Sequence, residues 1–533
     1  MYCAFPLKKK ERGGERIENV ARLGGGAATQ DKAPKAPKAP KAAKPAAIRP
    51  QAKAKPSGGA FVGIDVGSSA IKAVEVKGFG NALTVTALAI ANTPPGSIMG
   101  GVVQDPKALG SAIKQLIGKN GFRSRKAISA VTGADGVVVR VIELPRMTPS
   151  ELAETMKWEI ERQIPFNPND VEMAYAPIDE GPGADLSNPN MEVLLAVAQR
   201  GLVSGHLDTL NLGGLTPSAI DVEALAVGRS LIDVSKQGLK SKNVVIVNIG
   251  AALTEVGVFK QGILRFPRTI PVAGDNFTRA ISDSLGLTIE AAEDEKRQNA
   301  KVFMDVMNQG GSTNPFADTP SNDYGGYNAG GEASPFDIPT TPAANPFDVP
   351  ATVAGPANPA DLYTTPAANP FDVPAETPVV PASDDPFAAA STFDPYGSSG
   401  GGGNVPPVGG SGLGGVPAPD DPRARRQRQI FDALLPVLGE LVMEVRRSID
   451  YFRSRYPSDT VDQVILCGGS AVIPNLADYF TYDLGTPTVV ANPLGDVNLT
   501  SKQMSAERLR ETAPAFAVAL GLAVRDAVLG AGR

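Results

Sequence analysis

Histidine is almost missing from these 533 residues: there is one, His206. Histidine-based acid–base catalysis and histidine metal ligation therefore have almost no material. Two cysteines, Cys3 and Cys467, build neither a disulfide framework nor a metal cluster, which fits a reducing, cytoplasmic compartment. No apolar run approaches the roughly 18 residues of a membrane span. Lys8-Lys9-Lys10 is not joined to the apolar core of a signal peptide. A soluble protein with no transmembrane segment is expected.

What is abundant is glycine and proline, 57 and 47 residues, concentrated in two tracts. The net charge of -5 hides an asymmetry, since the first 60 residues carry 14 Lys/Arg against 4 Asp/Glu. Residues 1–59 read as a disordered basic arm ending in an Ala-Pro-Lys repeat, Ala33 to Lys41, which cannot bury enough apolar surface to fold. Such an arm either rests on acidic lipid or nucleic acid or is a solvated tether. Nothing aromatic interleaves the charges and the folded blocks lack a recognition motif, so no nucleic-acid partner is expected.

Residues 308–422 read as a disordered Asn-Pro-Phe-rich linker. It holds Asn314-Pro-Phe316 and two full copies, Asn345 to Pro350 and Asn369 to Pro374. The copies lack an apolar period that could stack as a solenoid. Phe between prolines is either a multivalent docking motif or spacer drift.

The ordered remainder mixes strands, hairpins and crossover helices, hence α/β layers. Strands are expected at 61–66, 71–77, 82–91, 127–132, 137–144, 171–177, 191–198, 243–249, 253–259, 263–270, 461–467 and 487–490. Helices are expected at 105–118, 149–163, 200–213, 222–234, from 274, at 423–456 with a kink at Pro436, at 474–481 and at 514–529.

Within this frame, Phe61 to Val66 is an apolar strand that delivers Asp65 to its tip. Gly67, Ser68 and Ser69 turn the chain before a second strand carrying Lys72. Small residues leave backbone N–H groups and hydroxyls open to phosphate oxygens, and Asp65 can hold Mg²⁺ through water. An ordinary Gly-Ser hairpin turn is the plain alternative. Val244 to Val258 repeats the logic, with Asn248 at the strand tip, Gly250 in the turn and Thr254 after it. Gly468, Gly469 and Ser470 follow a buried strand and precede a helix, where a flat nucleoside can lie on backbone. Gly274 opens a helix whose N-terminal N–H groups favour an anion.

Together these elements resemble the actin/Hsp70/FtsA nucleotide-binding superfamily and, within it, the PilM family of type IV pilus assembly proteins. Trp158 to Phe166 followed by Asp170-Val171, and the closing Pro514 to Ala523, are similar to family segments. The resemblance implies an actin-like (ribonuclease-H-like) two-domain nucleotide-binding fold with a small inserted subdomain. A first domain would span 60–242, with an SHS2-type insert at about 133–210. A second domain would span 243–307 and 423–533. It implies ATP and Mg²⁺ as cofactors, with Asp65 organising Mg²⁺ and Gly67, Ser68, Ser69, Lys72, Asn248, Gly250, Thr254 and Gly274 around the phosphates. Glu293, Lys296, Gly468, Gly469 and Ser470 would flank adenosine. Without the resemblance, Glu293 and Lys296 read equally as a solvated i,i+3 ion pair.

The implied partners are other pilus assembly proteins and the cytoplasmic tail of a PilN-like inner-membrane protein, which would hold the chain peripheral to that membrane. Self-association is left open. Trp158 and Phe166 are then partner-binding residues, although an amphipathic helix commonly buries such side chains as core. In the family pattern the second phosphate loop begins with Asp, and Asn248 departs from it. A neutral amide supplies neither charge for Mg²⁺ nor a base, so ATP binding with slow or negligible hydrolysis is expected. Rival readings are an FtsA-like division protein and a sugar kinase. The former ends in an amphipathic membrane helix, unlike Phe516 to Arg533, and the latter needs an Asp base with no candidate here.

Overall fold

The computed structural model describes residues 4–5, 60–79, 82–132, 136–178, 187–305, 421–501 and 503–531, all within one compact unit. The expected disorder of the arm (beyond residues 4–5) and of the Asn-Pro-Phe linker (up to residue 420) lies outside the described residues.

The first part of the chain forms β1 (Ala4–Phe5), β2 (Phe61–Val66), β3 (Ala70–Lys77), β4 (Thr84–Asn92), β5 (Ile98–Met99), β6 (Val102–Val103), α1 (Pro106–Lys119) and β7 (Lys126–Val131). Next come β8 (Val137–Pro145), α2 (Pro149–Gln163), β9 (Val171–Pro177), β10 (Asn190–Gln199), α3 (Arg200–Leu212), β11 (Thr216–Val222) and α4 (Glu223–Gly228). A second run gives β12 (Asn243–Ile249), β13 (Thr254–Lys260), β14 (Ile263–Ile270), α5 (Gly274–Leu285) and α6 (Ile289–Asn299). Beyond the linker lie α7 (Pro422–Arg455), β15 (Gln463–Cys467), α8 (Leu476–Leu484), β16 (Thr488–Val490), β17 (Asn498–Leu499), α9 (Ala506–Thr512), α10 (Ala517–Ala523) and α11 (Arg525–Ala531).

Two sheets share one topology. The first runs β11-β7-β2-β3-β4, with β1 and β17 added at its edges, and the second runs β16-β15-β12-β13-β14. In each, an antiparallel meander (β2-β3-β4 or β12-β13-β14) is flanked by two parallel strands. The central strands β2 and β12 are buried almost throughout, because Val and Ile on both faces meet a helical layer.

Local signals start the helices. Asp105 caps α1 by accepting from Lys107 N and Ala108 N, with Pro106 in its first turn. Thr148 and Glu151 form a capping box on α2. The helix α7 runs through Pro436 without a break. Its apolar stripe, including Phe431, Leu438 and Phe452, packs under the second sheet.

A third, three-stranded sheet, β8-β10-β9, is covered by α2 through Ile142, Leu152, Met156 and Ile160. The expected insert reached residue 210, but α3 packs on α1 and β11, where Gly110 lets Leu212 approach closely. The expected second domain included everything to residue 533. Yet β17 pairs with β4 and α10 packs on β2, β3 and α4 of the first half. Here two glycines permit a tight crossing, since a Cβ on Gly63 would meet the Ala519 backbone and one on Gly521 the Ala226 backbone. The Ala-rich composition of this helix follows from that squeeze. Within the arm expected to be disordered, Ala4–Phe5 forms an edge strand on β11, whose open backbone groups accept it.

Candidate functional site

The two meanders turn through equivalent four-residue loops, 67–70 and 250–253. Gly67 N donates to Ala70 O at 3.2 Å, and Gly250 N to Leu253 O at 3.0 Å. Each loop is pinned through its carbonyls. Thr93 donates its hydroxyl to Gly67 O (2.6 Å) and its N–H to Ser69 O (3.0 Å). Gly274 N and Asp275 N, at the start of α5, donate to Gly250 O (3.1 Å) and Ala251 O (2.8 Å). The N–H groups of Ser68, Ser69, Ala251 and Ala252 have no acceptor among the described residues. They are available to an anion.

Cross-strand register sets the charges behind the loops. Asp65 faces Lys72, whose ammonium lies 3.1 Å from its carboxylate. Asn248 faces Glu255 in the second meander. Residues paired in this way share one face of the sheet. Asn248 Nδ2 donates to Glu223 Oε1 at 2.7 Å, joining β12 to the start of α4. The Thr132 hydroxyl, just beyond β7, donates to Glu255 Oε1, whereas Glu255 Oε2 is buried with no partner.

Asp65, Glu223 and Glu255 thus crowd one cleft with Lys72 as their cation. Burial pushes the Glu223 carboxyl well above its usual range, and the charges of Glu255 and Asp65 add to that, against Lys72 and the Asn248 amide. Burial likewise raises Glu255 to about 7; the Thr132 hydrogen bond opposes this and Asp65 adds to it. Glu223 and Glu255 escaped the sequence reading. The signal for Glu255 was present, because a four-residue loop after Ile249 places residue 255 opposite 248.

The nucleoside-side residues gather on the other flank. A Cβ on Gly274 would lie 2.7 Å from Ser470 Oγ, 3.1 Å from Gly250 O and 3.4 Å from Lys296 Nζ. Gly468, at φ +92°, sits so close to Asn248 that a Cβ would come within 2.8 Å of its Oδ1. Gly469 faces open space. Glu293 and Lys296 are more than a surface pair. Lys296 Nζ donates to Gly274 O (2.9 Å) and Thr278 Oγ1 (2.8 Å), and it pairs with Glu293 at 2.6 Å. Burial works to raise the Glu293 carboxyl, but hydrogen bonds from Lys296 and Thr278 hold it below the usual range.

Thr254 is fully buried and donates its hydroxyl to Val272 O at 2.7 Å, so it braces the second loop from beneath. His206 is buried and pushed down to about 4 by that burial, so it stays neutral beside Ser129. Cys467 is buried, with its thiol pushed up by desolvation, and is inert.

The free loop N–H groups, Lys72, and the open space at Gly469 fit the phosphates and base of a nucleotide. Among the described residues, no group of three or more His, Cys, Asp or Glu side chains is arranged to hold a metal ion. Mg²⁺ would then be held through water and phosphate oxygens, with Asp65 behind.

Outside the cleft, Trp158 projects from α2 with 71 % exposure, so it is not core. Phe166 is half-buried against the core of the three-stranded sheet.

A family profile described as Type IV pilus assembly protein PilM matches residues 63–305 and 427–527. Among solved structures, the PilM-PilN type IV pilus biogenesis complex superposes with a TM-score of 0.58 at 25% identity, covering 88% of this chain and 99% of that one. Cell division protein FtsA of Bacillus subtilis (strain 168) is 23% identical over 268 residues, 47% of this chain and 60% of that protein. FtsA of Streptococcus pneumoniae serotype 2 (strain D39 / NCTC 7466) is 22% identical over 264 residues, 46% and 57% respectively. The chain therefore spans less than two thirds of the curated relatives it matches. The expected actin-like α/β fold stands.

Proposed function

The chain belongs to the type IV pilus assembly protein PilM family, and from that premise we propose that it binds ATP with Mg²⁺ between its two loops and uses the bound state to control capture of a PilN-like tail. The observation that carries this reading is the pair of equivalent loops, with four N–H groups that find no acceptor among the described residues and Lys72 beside the first loop. Ser68, Ser69 and Lys72 would hold one end of the triphosphate and Ala251 and Ala252 the other; Gly274, expected to offer its N–H to an anion, donates it to Gly250 O instead and so braces the second loop. Gly468, Gly469 and Ser470, with Glu293 and Lys296 bracing the wall, would take the nucleoside. Mg²⁺ would supply neutralising charge on the phosphate oxygens.

Hydrolysis is slow on this reading. Asn248 is a neutral amide that donates to Glu223, and burial pushes the Glu223 carboxyl well above its usual range and disfavours its ionised, basic form, so neither is suited to activate water. Residual turnover falls to Glu255, whose free Oε2 belongs to a carboxyl near 7. The bound nucleotide acts as a switch rather than as fuel.

The partner is the short cytoplasmic tail of a PilN-like inner-membrane protein, taken up beside the small sheet that carries Trp158. That contact would place the chain at the cytoplasmic face of the inner membrane, consistent with the finding that no helix among the described residues is long and apolar enough to cross one. Titrating a labelled tail peptide into the full chain, with and without Mg²⁺ and a non-hydrolysable ATP analogue, tests the reading. Binding that changes several-fold with nucleotide supports it, and binding indifferent to nucleotide contradicts it.

A further inference from the structure

The three-stranded insert meets both halves of the molecule through one face of its sheet. Leu194, Ala196 and Ala198 of β10 join the core that holds Phe61, Ile64 and Ile128 of the first sheet. Toward the start of the same strand and on the same face, Glu192 stands directly opposite Glu143 of β8. Two carboxylates facing each other across a sheet repel. Both draw a cation from the second half: Arg265 of β14 pairs with Glu192, and Arg455 at the end of α7 donates to Glu143 Oε2 at 2.7 Å. Tyr456, the residue after α7, donates its hydroxyl to Glu192 Oε1 at 3.0 Å. Burial, with the Glu192 charge beside it, pushes that phenol up to about 12, so it stays a donor.

The inner pair decides the contact. The Arg265 and Glu192 side chains are 12 % and 20 % exposed, whereas Arg455 and Glu143 are 52 % and 40 % exposed, and ion pairs in water contribute little. Yet the inner grip is one-sided. Arg265 meets Glu192 through Nη1, and its Nε is buried with no partner among the described residues. A two-point fork would be firmer, so this contact releases more readily.

Each end of the contact leads to a site. On one side, β14 runs from Arg265 to Ile270, Val272 O takes the Thr254 hydroxyl, and Gly274 N braces the second loop. On the other, β8 ends at Pro145, shortly before Thr148 caps α2, the helix that carries Trp158.

We propose that Arg265, aided by Tyr456 and Arg455, couples the insert to the second half, so that nucleotide at the second loop alters the insert face bearing Trp158. While the contact is made, the insert follows β14. When it is released, Glu143 and Glu192 repel and loosen the β8–β10 pairing beside α2. The inference deepens the nucleotide-controlled capture proposed above; it rests on nucleotide binding at the loops and not on the identity of the tail.

The test follows hydrogen exchange in the unaltered full chain and in Arg265→Gln, each with and without Mg²⁺ and a non-hydrolysable ATP analogue, once thermal unfolding has checked the fold of the variant. Glu192→Gln removes the same contact from the insert side and serves if Arg265→Gln does not fold. In the unaltered chain, nucleotide should change exchange of the amides at 190–194 by about fivefold or more, the low end of ordinary coupling between sites. In either variant that change should vanish while nucleotide still protects residues 250–254. Combining the two substitutions should add nothing, since the two side chains act as one contact. A response at 190–194 that survives in the variants, or its absence from the unaltered chain, overturns the inference. No protection at 250–254 in the unaltered chain overturns it together with nucleotide binding. If the response at 190–194 depends on Arg265 and yet capture of a PilN-like tail peptide ignores nucleotide, the coupling contact stands and the partner reading fails.

Discussion

The two meanders are copies in backbone and differ in charge. Behind the first loop, Asp65 faces Lys72 and the pair is neutral; behind the second, Asn248 faces Glu255 and the pair is acidic. The first loop adds two hydroxyls, Ser68 and Ser69, where the second has Ala251 and Ala252. On the proposed reading, one half of the cleft would hold phosphate by charge and side chain. The other offers backbone alone and a carboxylate one strand removed from the place where the family pattern has one. On the proposed reading, the asymmetry separates binding from hydrolysis: the first half would carry the phosphate contacts, and the carboxylate of the second would be displaced from the strand tip.

The largest expected effect comes from removing the sole cation of the pair. Lys72→Met should weaken ATP binding about 30-fold, or about 2 kcal/mol, as for a lost charge-assisted hydrogen bond, measured by calorimetric titration. Next, restoring the acid at the second strand tip should narrow the difference between the halves. Asn248→Asp should raise phosphate release at least about tenfold, short of the roughly 10²–10⁴-fold that a fully positioned acid–base group gives, while Glu255→Gln should abolish the residual rate and leave ATP affinity within about threefold, since it removes no phosphate contact.

Gly67→Ala and Gly250→Ala compare the loops directly. A Cβ at 250 meets the Leu253 carbonyl at 2.7 Å, whereas one at 67 meets Ala70 O and the movable Lys72 tip at 3.0 Å. Gly250→Ala should cost about 1–3 kcal/mol of stability, as overpacking does, and Gly67→Ala less, read from denaturant unfolding.

The acidic half also sets a pH dependence. The Glu255 carboxyl rises from 4.5 unfolded to about 7 folded. Its protonated form therefore favours the fold: that contribution is fully present below pH 4.5 and is lost as pH rises through about 7. Glu223 acts in the same direction. The melting temperature of the nucleotide-free protein should fall across this window, and Glu255→Gln should flatten the fall. The smallest effect is outside the cleft. Trp158→Ala should leave stability within about 0.5 kcal/mol, as surface changes do, and still reduce capture of the tail peptide.

Much of this was legible in the sequence because it is local. Period-2 apolar runs and their Gly turns placed β2, β3, β12 and β13 within a residue or two, and the helix expected at 149–163 coincides with α2. The recurrence of one turn pattern exposed the duplicated halves. What stayed hidden depends on pairing between distant segments. Glu223 matters only because β11 ends beside β12, and α10 reads as an ordinary Ala-rich helix until Gly63 and Gly521 show what it passes between. Composition assigned Ala4–Phe5 to a disordered arm because a strand of two residues leaves no period to read.

The central claim, that the cleft holds ATP without consuming it, is tested most directly by mixing the full chain with excess Mg²⁺·ATP and measuring, in one sample, nucleotide bound and phosphate released over time. The account predicts near-stoichiometric binding with intact ATP recovered from the protein and turnover far below about 1 s⁻¹, the lower end of ordinary enzyme rates. Turnover at or above that rate, with ADP as the bound species, would contradict it.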